Sequence, residues 1–135
     1  MIRFFCYSLT FLSLSSFFAL PQNQNFDLDA SILRGKEVYS GYCMSCHQEQ
    51  GEGIEDVYPP LAKSDYLMAD KKRSIIQTLY GVSGEIKVNG KIYSGEMTGF
   101  ELTDRETSDV LNYIRNSFGN KGEAVTPEEV NTLRK

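Results

Sequence analysis

The most informative part of the sequence is YSGYCMSCHQEQGEG, residues 39–53. It holds Cys43, Cys46 and His47, which are two of the three cysteines of the chain and its only histidine. Four explanations suit such a cluster: a metal clip, a redox dithiol, a structural disulfide and a covalent haem site. Each explanation predicts a different protein, so the rest of the sequence has to distinguish among them.

Three of these explanations lack the sequence context that they need. A structural zinc site takes about four ligands, usually as two pairs, and no second Cys/His cluster follows. A thioredoxin-like dithiol belongs to a βαβ unit, whereas the segments around Cys43 have the patterns of helix and loop. A disulfide between Cys43 and Cys46 would close a very short loop, which restricts the unfolded chain little, and it would leave His47 without a role.

Cys-x-x-Cys-His is the attachment signature of c-type haem. In such a site the two thiols bond to the porphyrin, and the histidine that follows ligates the iron. We therefore predict one haem c, bound covalently through Cys43 and Cys46, with His47 as the first axial ligand of its iron. A haem also supplies the apolar surface that a small, loop-rich domain with few apolar positions needs.

The second axial ligand is predicted to be a methionine, because no second histidine exists. Met1 lies in the N-terminal apolar segment, Met44 lies inside the motif, and Met68 lies on a short helical stretch that favours packing. Met97, in the glycine-flanked stretch YSGEMTGF, lies far enough along the chain to reach the other haem face. An iron held by His47 and Met97 is closed, six-coordinate and suited to electron transfer.

The N-terminus predicts an export signal, and the net charge disfavours nucleic acid as a partner. Arg3 precedes an almost wholly apolar, uncharged run over residues 4–20, and Pro21 ends it, as in a secretory signal. The run approaches the roughly 20 apolar residues of a membrane span, so an uncleaved membrane tether over residues 4–20 remains an alternative. The formal net charge of −4 is not the basic footprint of a nucleic-acid-binding protein. We expect an exported, periplasmic protein, either soluble or anchored.

Caps and apolar spacing predict about four helices and one small hairpin. We expect a signal peptide or anchor over residues 1–20, a linker over 21–29, a folded domain over 30–119 and a C-terminal tail with a short helix over 120–135. In the first half of the chain, Asp29 is predicted to cap a helix from Ala30 to Tyr42, a helical turn runs from Ser64 or Asp65 to Met68, and Asp70 caps a helix that stops at Gly81. Asn89-Gly90 predicts a hairpin turn. A Thr103/Glu106 capping box begins a last long helix that ends at Gly119, and Pro127 begins the tail helix.

From about residue 30 to residue 119 the chain resembles class I cytochrome c. The residues that carry the resemblance are Gly35-x-x-x-Tyr39 ahead of Cys43-x-x-Cys46-His47, then Pro59-Pro60-Leu61, then Met97, then DVLNYIRNSFG over 109–119. The resemblance implies an all-α cytochrome c fold, with about four helices around the haem and the hairpin before the loop of Met97.

The resemblance also implies roles for residues that the motif alone does not explain. It implies that the first and last helices cross at Gly35, with Tyr39 against Val110 and Tyr113. It implies that the carbonyl of Pro59 accepts a hydrogen bond from the ring of His47, which orients the imidazole and raises its basicity. Leu61 would pack on the haem.

The function implied is that of a one-electron carrier between respiratory or periplasmic redox enzymes, and not of an enzyme. The segments VNGKIYSGEMTGF and GNKGEAVTPEEV are similar to cytochrome domains attached to some copper-containing nitrite reductases, so a nitrite reductase is an expected partner, with a terminal oxidase as another. One alternative is a haem subunit permanently bound to an oxidoreductase such as a nitrite reductase or dehydrogenase. A haem peroxidase or gas sensor with a labile Met97 is a further alternative, favoured only by Thr98, which stands where the family often has proline.

Overall fold

The computed structural model describes residues 26–135, so the predicted signal or anchor over residues 1–20 and most of the predicted linker lie outside the described residues. The elements in chain order are α1 (Leu28–Tyr42), α2 (Met44–His47), α3 (Asp65–Ala69), α4 (Lys71–Tyr80), β1 (Gly81–Ser83), β2 (Ile86–Val88), β3 (Lys91–Tyr93), β4 (Glu96–Thr98), α5 (Asp104–Arg115) and α6 (Pro127–Leu133). The mostly helical architecture with one small hairpin is confirmed. Within the described residues, no helix is both long and apolar enough to cross a membrane.

Helix α1 begins earlier than the sequence predicted. The side chain of Asp27, not that of Asp29, accepts a hydrogen bond from the backbone N–H of Ala30, at 3.0 Å. Asp29 lies in the first turn instead, where a carboxylate favours the positive end of the helix dipole. An aspartate is favourable both at the N-cap and in the first turn of a helix, so the sequence alone does not show which of the two aspartates is the cap.

Helices α1 and α5 cross at Gly35, as the resemblance implied. A Cβ at Gly35 would lie 1.9 Å from the carbonyl oxygen of Asp109 and 2.9 Å from the Cβ of Tyr113. One turn further along α1, Tyr39 is 1% exposed, and its ring centroid lies 5.4 Å from that of Tyr113. The missing side chain at Gly35 therefore sets the distance between the two helices.

Helix α5 has the predicted start but an earlier end. Thr103 and Glu106 form both hydrogen bonds of the capping box. The helix ends at Arg115 rather than at Gly119, because the chain then turns, with φ of 57° at Phe118 and 81° at Gly119. This turn places the Phe118 ring 5.3 Å from that of Tyr39, where it completes a three-ring cluster with Tyr113.

The C-terminal segment packs on the helices. Helix α6 is present with Pro127 in its first turn, and both Val125 and Val130 are 0% exposed. The buried side chain of Asn112 donates to the carbonyl of Val125 at 2.8 Å and accepts from its N–H at 2.7 Å. This segment therefore contributes to the same apolar core as α1, α4 and α5.

Two short antiparallel ladders complete the fold. Strands β2 and β3 form the hairpin predicted at Asn89-Gly90. Strands β1 and β4 form a second ladder that was not expected, in which Val82 pairs with Met97. Met97 thus lies in a paired strand and not in the open loop that the sequence predicted.

Candidate functional site

A cavity of about 470 Å³ lies among α2, the loop that follows it, α4 and the two ladders. All six residues that the sequence singled out for the site line it, although they come from three separate stretches of chain: Cys43, Cys46, His47, Pro59, Leu61 and Met97. Much of the remaining wall is apolar, including Leu67, Val82 and Val88. The cavity is therefore an apolar chamber with two thiols, an imidazole and a thioether at its wall.

Cys43 and Cys46 lie in one short helical turn at the end of α1. The backbone N–H of Cys43 donates to the carbonyl of Tyr39 at 2.9 Å, and that of His47 donates to the carbonyl of Cys43 at 2.9 Å. Both thiols are partly buried and are not joined in a disulfide. Burial raises the pKa of the Cys43 thiol to about 11, and the neighbouring Cys46 adds to the shift, so Cys43 is protonated at neutral pH.

His47 is oriented by the loop that follows it. Its Nδ1 lies 3.0 Å from the carbonyl oxygen of Pro59; because a carbonyl only accepts, Nδ1 carries the proton and Nε2 keeps a free lone pair. Burial lowers the pKa of His47, and the hydrogen bond to Pro59 opposes that shift. A neutral imidazole fixed through its other nitrogen is the form that binds a metal.

Gly53 allows the loop to fold back and bring Pro59 to His47. Its φ is +67°, and a Cβ there would lie 2.3 Å from the carbonyl oxygen of Tyr58. Its N–H donates to the carbonyl of His47 at 2.9 Å. Further along, the N–H of Leu61 donates to the carbonyl of Gly51 at 2.7 Å, which holds Leu61 at the cavity wall.

Met97 is held at the cavity by its strand pairing. Its carbonyl oxygen lies so close to Gly81 that a Cβ there would meet it at 2.2 Å. Thr98 pairs with Gly81 in the same ladder, and a proline at that position would place a residue without an N–H inside the ladder. Met44 and Met68 do not line the cavity and pack instead against the helical core.

The sequence did not indicate most of the cavity wall. The inner face of the hairpin supplies Val88 and Tyr93, which are 2% and 6% exposed. From the side of α3 and α4 come Tyr66 and Gln77, joined by a 2.8 Å hydrogen bond between Gln77 Nε2 and the Tyr66 hydroxyl. The Asn89-Gly90 signal predicted the hairpin itself, but it did not show what the hairpin covers.

The donor set fits haem c and does not fit a zinc site. Two unbonded thiols and a neutral imidazole within one turn suit covalent attachment and axial ligation, and the apolar walls suit the porphyrin faces. Across residues 26–135 no group of three or more His, Cys, Asp or Glu side chains is arranged so that it could hold a metal ion by itself. Fold and cavity together define a c-type cytochrome.

Comparison with known proteins gives the family. The model of the family described as cytochrome c matches residues 32–118. Cytochrome c-552 of Thermus thermophilus is 39% identical over 110 residues, which cover 74% of this chain and 83% of that protein. The chain therefore belongs to the cytochrome c family: it is an electron carrier whose cofactor is a covalently bound haem c. Members of this family generally transfer electrons rather than catalyse reactions.

Other relatives are subunits of larger redox enzymes. The cytochrome c subunit of an alcohol dehydrogenase (quinone) from Gluconobacter oxydans is 28% identical over 135 residues, which cover 90% of this chain but 28% of that subunit. The cytochrome c subunit of a gluconate 2-dehydrogenase from Pantoea cypripedii is 30% identical over 105 residues, covering 75% of this chain and 24% of that subunit. These relatives support redox enzymes as the class of partner.

Proposed function

We propose that the protein is a monohaem carrier in which Cys43 and Cys46 hold the haem and His47 and Met97 are the axial ligands of its iron. The observation that carries this assignment is the cavity, whose wall holds these four side chains although Met97 comes from a distant strand. Haem iron between an imidazole and a thioether cycles between its ferric and ferrous states by one electron.

The roles of Pro59 and Leu61 belong to the same proposal. Pro59 accepts from Nδ1 of His47, which fixes the ring and leaves Nε2 for the iron. Leu61 adds an apolar side chain to the wall, which helps to keep water away from the site. Both residues position the cofactor and take no part in a bond-breaking step.

Substituting Met97 tests the proposal directly. Met97→Ala should leave the haem attached, open the iron to carbon monoxide and lower the reduction potential, because a His/Met pair raises it. Absorption spectra with and without carbon monoxide, together with redox titration, measure these changes. Met68→Ala is the matched control, because Met68 packs on the core. If Met68→Ala opens the iron and Met97→Ala does not, the ligand assignment is wrong.

A dehydrogenase is the partner class that the relatives favour. They include cytochrome c subunits of an alcohol dehydrogenase and a gluconate dehydrogenase, and we infer that this carrier accepts electrons from an enzyme of that kind. A nitrite reductase or a terminal oxidase, expected from the sequence, stays a prediction. Reducing the holoprotein with a purified membrane dehydrogenase measures the transfer; failure with dehydrogenases and success with nitrite reductase would reverse the inference.

A second candidate is a subunit permanently bound to such an enzyme. The similarity to cytochrome subunits of dehydrogenases favours it. Size-exclusion chromatography of the native extract separates the two cases, because a free carrier elutes at or below the 15.3 kDa of the full chain, depending on whether the signal is cleaved, and a subunit elutes with its enzyme.

Export completes the proposal. We infer that residues 1–20 direct the protein to the periplasm, where it is soluble or stays anchored through residues 4–20. Cell fractionation, followed by mass analysis of the mature N-terminus, distinguishes a cleaved signal from a retained anchor. Haem-loaded protein in the cytoplasm would contradict the inference.

A further inference from the structure

The β2–β3 hairpin covers the cavity without belonging to the helical core. Ile86, Val88 and Tyr93 line the cavity from the hairpin, and Val88 and Tyr93 are nearly fully buried. The apolar cluster formed by the helices includes neither of these two residues. The position of the hairpin therefore depends on the cavity it covers and on the polar contacts that hold it.

Two polar ties hold the hairpin near its turn. In the first, the N–H of Asn89 donates to Asp65 Oδ1 at 2.7 Å, and the N–H of Asp65 donates to Asn89 Oδ1 at 3.0 Å. In the second, Lys91 Nζ lies 2.7 Å from Glu55 Oε1 and 2.8 Å from Asp56 Oδ1. The first tie reaches the start of α3, and the second reaches the loop that carries Pro59.

The Lys91 tie joins two walls of the cavity. Glu55 and Asp56 immediately precede Val57 and Tyr58, which line the cavity from the side of His47. Lys91 lies in the hairpin, which also lines the cavity and is followed in the chain by the strand of Met97. The ion pair is thus a direct link between the segment that orients the first ligand and the segment next to the second.

The turn at Asp56 places both carboxylates beside Lys91. The N–H of Val57 donates to the carbonyl of Ile54 at 2.9 Å, and Asp56 has a φ of 63°, in the left-handed region that aspartate adopts more readily than most residues. The turn therefore fixes the backbone of Glu55 and Asp56 independently of the ion pair. Lys91 donates to the carboxylates of Asp56 and Glu55, and these hydrogen bonds raise the pKa of Lys91.

We propose that the β2–β3 hairpin, residues 86–93, is a lid over the haem cavity and that Lys91, bridging Glu55 and Asp56, is the latch that limits access of small external ligands to the iron. The proposal rests on the haem site assigned above. The side chains of Glu55 and Asp56 are 82% and 75% exposed, so water and salt weaken the latch. The reciprocal Asp65–Asn89 pair, which uses backbone groups, is the hinge about which the lid opens.

The test compares four forms of the holoprotein: wild type, Lys91→Met, Lys91→Arg and Lys87→Met. Lys87 is the other lysine of the hairpin and forms no ion pair within residues 26–135, so Lys87→Met is the matched control. The first readout is hydrogen–deuterium exchange of the hairpin amides, and the second is the rate of cyanide binding to the ferric protein. Lys91→Met should raise both by about two- to fivefold, the range that loss of an exposed ion pair gives, and Lys91→Arg should restore the wild-type values.

Salt supplies an independent check. Raising the ionic strength should move the exchange and cyanide-binding rates of wild type toward those of Lys91→Met, because salt screens the ion pair of Lys91 with Glu55 and Asp56. Lys91→Met lacks that ion pair, so its own rates should change little. Hairpin exchange in Lys91→Met at the wild-type rate, or an equal rise in Lys87→Met, would overturn the latch. Hydrogen exchange of the hairpin amides reports the opening of the lid and does not report the spin state of the iron. A high-spin ferric wild type would therefore contradict Met97 as the ligand, while the exchange data would still decide the latch.

Discussion

At the scale of single residues, Gly35 and Gly41 show how one helix uses the same residue in two ways. A Cβ at Gly35 would fall inside the contact distance of Asp109 and Tyr113, whereas a Cβ at Gly41 meets nothing within 4 Å. A glycine inside a helix costs about 0.5–1 kcal/mol relative to alanine, so Gly35 stands out in the sequence. The atoms that Gly35 contacts depend on where α1 crosses α5, and that crossing point does not follow from the residues of α1 alone.

Gly35→Ala should destabilise the holoprotein by about 1–3 kcal/mol, because the added methyl group forces the two helices apart. Gly41→Ala, in the same helix, should be neutral or stabilising by up to about 1 kcal/mol. Denaturant unfolding of the two variants and wild type measures the difference. Equal stabilities for the two variants would mean that the helices do not meet at Gly35.

The motif residues were predictable at this scale because their chemistry is local. Cys43, Cys46 and His47 lie within one helical turn, so their spacing in sequence is their spacing in space. Pro59 came only from the resemblance, since its carbonyl reaches His47 through a loop whose path depends on the left-handed backbone of Gly53.

At the scale of elements, the sequence predicted most of the helix starts and the hairpin turn, because each of these depends on residues that are neighbours along the chain. The caps at Asp70 and Thr103 and the Asn89-Gly90 turn are all confirmed. The β1–β4 ladder joins two three-residue strands that are distant in sequence, and strands this short carry no periodicity. The predicted end of α5 was also wrong: the helix ends at Arg115, and the chain then turns through positive φ at Phe118 and Gly119.

Val130 tests whether the C-terminal helix is part of the core. Val130→Ala should cost about 1.5–3 kcal/mol of unfolding free energy, since two buried methyl groups are lost and a cavity remains. Thr132→Ala is the control of similar shape in the same helix; Thr132 is exposed, and its substitution should change stability by less than about 0.5 kcal/mol. Thermal or denaturant unfolding compares them, and equal effects would show that α6 does not pack as described.

At the scale of the whole molecule, the fold is arranged around a chamber that the chain itself does not fill. The helical core lies to one side, formed by α1, α4, α5 and α6, and the ladders close the other. The composition indicated that a domain this small needs a cofactor to complete its core, and the motif indicated which one. The enclosing walls could not be predicted, because they come from residues of α3, α4 and the hairpin that carry no chemical signature.

The decisive measurement is the absorption spectrum of the wild-type holoprotein, recorded oxidised, reduced and reduced under carbon monoxide. With His47 and Met97 both bound to the iron, we expect a low-spin c-type spectrum in the reduced state that carbon monoxide leaves unchanged. A high-spin ferric spectrum at neutral pH, or a reduced spectrum that shifts at once with carbon monoxide, would contradict that ligand pair.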